Sequence, residues 1–178
     1  MGRHRPIALV GCGAVGRALA LGLANWYLWR AWRERRAVDA DEGRALYRCL
    51  QVGTVLIVAG TLLGAWWADE AWGRFWGWDP KEIGALIIIL TYLIPLHLRY
   101  VGLAGPTALA AWSVFGFLSV LWSWYGINFL LGAGLHAYGF GQGGQHIVLP
   151  IAGLQVLWAI GLLLAIRRAR IAGQPPGV

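Results

Sequence analysis

Five tryptophans and one phenylalanine crowd the segment Trp66-Trp67-Ala-Asp-Glu-Ala-Trp72-Gly-Arg-Phe-Trp76-Gly-Trp78-Asp-Pro-Lys-Glu-Ile. An interfacial aromatic belt explains one or two such rings at a helix end, where the ring is apolar and its N–H stays wet. It does not explain Trp72, Trp76 and Trp78 with glycines between them and Asp79-Pro80 directly after. Gly73 and Gly77 let the backbone lie flat so that the rings converge. Asp79 suits the cap of a following helix, with Pro80 in its first turn and Glu82 near the positive end of its dipole. The pattern predicts a fixed aromatic shelf for a large, flat, apolar ligand. A porphyrin fits that description, as do a quinone and a lipid headgroup.

The histidines bear on the choice, because imidazole is a common axial ligand of haem iron and two of them must approach from opposite faces. His4 precedes the first apolar stretch, His136 follows the fourth within Gly132-Ala-Gly-Leu-His-Ala-Tyr-Gly-Phe, and His146 opens the fifth. His97 stands alone near the far end of the third. An ionisable residue inside an apolar segment is a functional candidate, although a neutral histidine bonded to a neighbouring helix is the commoner case.

The elements that hold these residues are membrane spans. The 178 residues are 58% hydrophobic and 13% charged, a balance foreign to soluble domains of this size. Stretches 7–29, 49–67, 83–99, 107–131 and 147–166 are each long enough to cross about 30 Å of hydrocarbon as a helix. An all-α polytopic bundle follows, one membrane domain over residues 1–178. Arginines cluster in 30–48, at Arg99 and in the tail 167–178, which the positive-inside rule assigns to the cytoplasm. The tryptophan loop 66–82 and the histidine loop 132–146 then face outward from the cell (inner or plasma) membrane, on the side of His4. Because the net charge of +7 sits at the ends of apolar runs and not over one polar face, the lipid bilayer is the expected partner and nucleic acid is not.

Two local signals compete with this account. Pro6-Ile-Ala-Leu-Val-Gly11-Cys-Gly13-Ala-Val-Gly16 matches the turn of dinucleotide-binding folds, but no alternation of strands and helices follows. Gly11, Gly13 and Gly16 read better as small residues for close helix approach. Arg3 and Arg5 oppose an outward N-terminus, which leads to the expectation that further spans precede this segment. Cys12 and Cys49 lack metal-site or redox spacing.

The order Trp72-Gly-x-x-Trp-x-Trp-Asp-Pro-Lys-Glu82, then Tyr92-x-x-x-x-His97-x-Arg99, resembles the tryptophan-rich core (the WWD motif) of CcsA/ResC-type cytochrome c biogenesis proteins. Gly116-Phe-Leu-Ser-Val-Leu, Tyr125-Gly-Ile-Asn128-Phe-Leu-Leu and Gly134-Leu-His136-Ala-Tyr extend the resemblance to about residue 140. Leu23-Ala-Asn-Trp-Tyr-Leu-Trp29 is similar to the end of the span that follows the family's first external histidine. The resemblance implies a protein that binds haem b as cargo and presents it for attachment to the CxxCH motif of apocytochrome c, with a CcsB/ResB-type membrane partner. It implies Trp72, Trp76, Trp78 and Asp79 at the haem edge, His136 and His4 as external axial ligands, and His97 as an intramembrane haem ligand. Thioether formation is then chemistry of the haem and the substrate thiols. The chain contributes orientation, either within a haem-lyase complex or as a relay or a packing subunit, and needs no general acid or base.

Overall fold

The computed structural model describes residues 5–131 and 144–172, with side chains from residue 16 onward. Five α-helices and one π-helical segment follow in order among the described residues: α1 Arg5–Arg33, α2 Ala40–Trp72, α3 Pro80–Tyr100, α4 Pro106–Leu121, the π segment Trp122–Leu131, and α5 Gln145–Ala172. Among the described residues there are no strands. Four helical stretches among the described residues are long and apolar enough to cross a membrane: Ala40–Trp72, Pro80–Tyr100, Pro106–Leu131 and Gln145–Ala172. The protein is a multi-pass, all-α membrane bundle. Residues 5–33 run as one continuous helix, so the glycine motif of residues 11–16 makes no strand-to-helix turn.

The helices extend beyond the apolar runs. The expected cytoplasmic loop 30–48 is two helix ends joined by residues 34–39, and the tryptophan loop 66–82 shrinks to residues 73–79. Capping explains both differences. Asp39 accepts from the Glu42 amide at 2.9 Å while Glu42 accepts from the Asp39 amide at 3.0 Å, a reciprocal box that starts α2 well before its apolar stretch. Gly73, with φ 67°, stops α2 by donating its amide to Asp69 O at 2.8 Å.

In lipid, apolar area gives helices no reason to associate, so close approach and hydrogen bonding take over. On α1 the fully buried Ala20, Ala24, Leu28 and Ala31 form a stripe at helical spacing. A Cβ added to Gly16 would stand 3.4 Å from Gly53 Cα of α2, and one added to Gly43 would meet Pro106 of α4 at 2.7 Å. Pro95 lies inside α3 and has no N–H, which frees the carbonyl of Thr91. The Trp112 indole of α4 donates to that carbonyl at 2.8 Å. Gln155 of α5 donates to Asn25 of α1 at 2.7 Å. Few residues of α5 are buried, among them Ala159, Leu162 and Ile166, so most of its surface faces outward from the bundle.

Arg17 is the least expected core residue. Its side chain is 1% exposed, donates to Gly53 O at 3.1 Å and lies 5.5 Å from the Tyr92 ring centroid. Its Nε and Nη2, the Thr54 hydroxyl and the Tyr92 hydroxyl are buried without hydrogen-bond partners.

Candidate functional site

The seven residues 73–79 between α2 and α3 form a shelf at one end of the bundle. Trp67 and Trp72 meet edge to face with centroids 5.1 Å apart, and Trp76 and Trp78 do so at 5.9 Å. The Arg74 guanidinium lies 6.0 Å from the Trp72 ring centroid and occupies the space that a Cβ on Gly77 would take. The far end of the Arg74 side chain thus packs over Gly77, a contact the sequence pattern did not reveal.

Trp78 holds φ at 58°, a left-handed backbone that bulky L residues rarely adopt. Its ring is 68% exposed. The restraint comes from both sides, because the amides of Gly77 and Asp79 donate to the same Glu82 oxygen at 2.7 and 3.1 Å. One carboxylate thus brackets the strained residue and aims its ring off the bundle. Strain of this kind costs on the order of 1–3 kcal/mol and persists where the surroundings over-determine it.

Asp79 is 6% exposed and caps α3 through the Lys81 amide at 3.0 Å, with Pro80 in the first turn and Glu82 completing the box. Its observed role is to fix where α3 begins. Lys81 reaches across to Asn128 of the π segment, with Nζ–Oδ1 at 3.2 Å. Gly84 permits this approach, since a Cβ there would lie 2.7 Å from both Ile127 Cδ1 and Ser123 Oγ. The 107–131 stretch, expected as a plain span, switches to π winding at Trp122, which buries Ser123, Tyr125, Gly126 and Ile127 against this end of α3.

The structure brings Trp72, Trp76, Trp78 and Asp79 together and sets His97 apart. His97 is eighteen residues beyond Asp79 on α3, roughly 27 Å along the axis. It is exposed in an open apolar groove of about 520 Å³ with Leu90, Leu93, Ile94, Leu98 and Val101. Its Nδ1 lies 2.7 Å from Leu93 O. A carbonyl only accepts, so Nδ1 is the donor in this contact and Nε2 takes no part in it. His146 is exposed at the start of α5, and its neighbour Gln145 donates to Phe129 O at 3.3 Å, which ties that start to the shelf end. His4 and His136 lie outside the described residues. Among the described residues, no three His, Cys, Asp or Glu side chains gather as a metal site.

The comparison with known families matches residues 3–136 to the cytochrome c assembly protein family. The chain belongs to that family. It is 47% identical over 94 residues to the cytochrome c biogenesis protein CcsA of Chlorella vulgaris, covering 53% of this chain and 30% of that protein. It is 50% identical over 97 residues to CcsA of Prochlorococcus marinus (strain AS9601), covering 53% and 30%. Protein NrfI of Wolinella succinogenes is 46% identical over 94 residues, 52% of this chain and 10% of its own length. The matched segment thus spans less than a third of each of these relatives.

Proposed function

We propose that the chain binds haem b as cargo and presents it at the outer membrane face for attachment to apocytochrome c during cytochrome c maturation. The observation that carries this reading is the exposed, left-handed Trp78 held by Glu82, within an aromatic shelf, in a chain of the cytochrome c assembly family. Trp72, Trp76 and Trp78 stack on the porphyrin edge, and Asp79 fixes the helix start on which they stand. His136 and His4 serve as axial ligands on the shelf side. Arg74, beside Trp72, supplies a guanidinium for a propionate. His97, with Nε2 outside the Leu93 contact and roughly 27 Å from the shelf, belongs to a second, intramembrane site.

The donor set fits the cargo, because neutral imidazole and aromatic faces hold iron and macrocycle respectively. Bound haem supplies the vinyl groups to which the two substrate thiols of a CxxCH motif add. The chain's residues orient the ring and shield it, which is the entropic part of such a reaction. A CcsB/ResB-type membrane subunit is the proposed partner, and apocytochrome c the proposed acceptor. The arginine distribution supports a shelf facing outward from the inner or plasma membrane, with the turn 34–39 and the tail in the cytoplasm.

The test is spectroscopic. The chain purified in detergent is expected to show a Soret band, and resonance Raman to show six-coordinate iron with histidine ligation. His136→Ala should remove the signature of the shelf site and His97→Ala that of the intramembrane site, each leaving the other. Absence of any Soret band in the wild-type chain, produced together with the partner, would sink the proposal.

A further inference from the structure

At the end of the bundle opposite the shelf, Trp26, Trp29, Arg30, Arg33 and Glu34 line an open cup of about 310 Å³. Nothing in the proposed haem chemistry uses these residues. Trp26 and Trp29 stand with ring centroids 5.0 Å apart and planes inclined by 35°. The Arg33 guanidinium sits 4.7 Å from the Trp29 ring centroid, a cation–π contact that leaves its N–H edge free.

The neighbouring charges are already committed. Glu34 accepts from Arg30 at 3.2 Å and from Arg36 at 2.6 Å. Arg36 also holds Glu42 through two bonds of 3.0 Å and lies 3.5 Å from Asp39, and Arg30 lies 3.4 Å from Glu42. Two arginines and three carboxylates therefore close on one another. The last carbonyls of α1, on Arg30, Ala31 and Trp32, accept from the amides of Glu34, Arg36 and Arg35. Arg33 has no carboxylate within ion-pair distance among the described residues, and neither indole N–H lining the cup has a hydrogen-bond partner there. The cup thus offers one guanidinium without an ion-pair partner beside two indoles whose N–H groups are unbonded, and the single carboxylate on its wall is turned to Arg30 and Arg36.

We propose that this cup binds the phosphate of an anionic amphiphile at the membrane surface. The chemistry is shared by an acidic phospholipid headgroup and a soluble phosphate. A planar guanidinium presents paired N–H groups to phosphate oxygens, and tryptophan at a span's end lies at headgroup depth. The volume stands at the lower end of ligand pockets, which suits a phosphoglycerol group and is too small for a porphyrin. The proposal rests on the membrane bundle alone and is independent of haem.

The purified full chain, stripped of lipid in detergent, is titrated with dioctanoyl phosphatidylglycerol, dioctanoyl phosphatidylcholine and inorganic phosphate, with bound ligand counted by native mass spectrometry. Phosphatidylglycerol is expected to saturate one tight site and phosphatidylcholine to bind more weakly. Arg33→Gln should weaken the site about tenfold or more, as expected for a lost charge-assisted contact. Trp29→Phe keeps the ring under Arg33 and removes one N–H, so it should weaken binding to a smaller degree. Arg35→Gln makes the same change of charge outside the cup and should leave affinity unaltered. Phosphatidylglycerol resistant to competition by inorganic phosphate assigns the lipid, and displacement assigns the soluble anion; both uphold the phosphate cup. Equal affinity for the two lipids, or Arg33→Gln behaving like Arg35→Gln, overturns it.

Discussion

The Lys81 ammonium donates a 3.2 Å hydrogen bond to Asn128 Oδ1, joining the first turn of α3 to the π segment 47 residues away. This bond ties the foot of the tryptophan shelf to the π segment, the last described element before His136 in the sequence. If the two residues act as a pair, Lys81→Met and Asn128→Leu are not additive. A double-mutant cycle on thermal unfolding in detergent should return a coupling of about 0.5–1.5 kcal/mol, the usual range for one net hydrogen bond. A coupling indistinguishable from zero would show that the contact does not hold these elements together.

Glu82 is expected to control the shelf without being part of it. Glu82→Ala releases the amides of Gly77 and Asp79 together and removes the restraint on the left-handed Trp78. A loss of about 1–2 kcal/mol in stability is expected, the magnitude of a lost helix cap, with weaker haem binding. Glu82→Gln keeps an acceptor oxygen and should recover much of both. Equal damage from the two substitutions would place the effect in the charge and not in the clamp.

The pair Pro95 and Trp112 supports a compensation experiment. Trp112→Phe leaves the Thr91 carbonyl without its indole donor, which should cost about 1–3 kcal/mol. Pro95→Ala restores an amide that can close the helix bond to the same carbonyl. The double variant should therefore be more stable than Trp112→Phe alone in chemical unfolding. A double variant no better than the single one contradicts the account.

At the α1–α2 turn, hydrogen bonds from Arg36 and then Arg30 hold the Glu34 carboxyl below the usual glutamate range, and hydrogen bonds to Glu42 and then Glu34 keep the Arg36 guanidinium raised. A depressed carboxyl pKa means that the folded state favours the ionised form. The contribution is complete above the ordinary glutamate value of about 4.3 and is lost as pH falls through the lower folded-state value. Because Glu34 is exposed, the effect is small and salt-sensitive. Thermal midpoints measured from pH 6 to pH 3 should fall less steeply for Glu34→Gln than for the wild type at low salt, and the difference should shrink at high salt.

Composition and motif order made the bundle and the shelf legible. Apolar runs of spanning length need only be counted, since lipid enforces helices wherever backbone cannot meet water. Asp79-Pro80-Lys81-Glu82 announces a capped helix because capping is local, requiring residues only three apart. Distances across the chain are another matter. That Gly84 admits Ser123 and Ile127, and that Trp112 serves the carbonyl freed by Pro95, depends on which helix faces meet, and no local pattern encodes that.

The capped start of α3 at Asp79 and the place of His97 along that helix were thus set by the sequence alone, through residue chemistry and short-range spacing. The tertiary structure decided the backbone of Trp78, the bracket of Glu82 and the burial of Arg17 against Tyr92. The reason is physical: in a membrane the apolar surface of every helix looks alike, so long-range partners are chosen by small residues, freed carbonyls and polar contacts that arise only once the helices have packed.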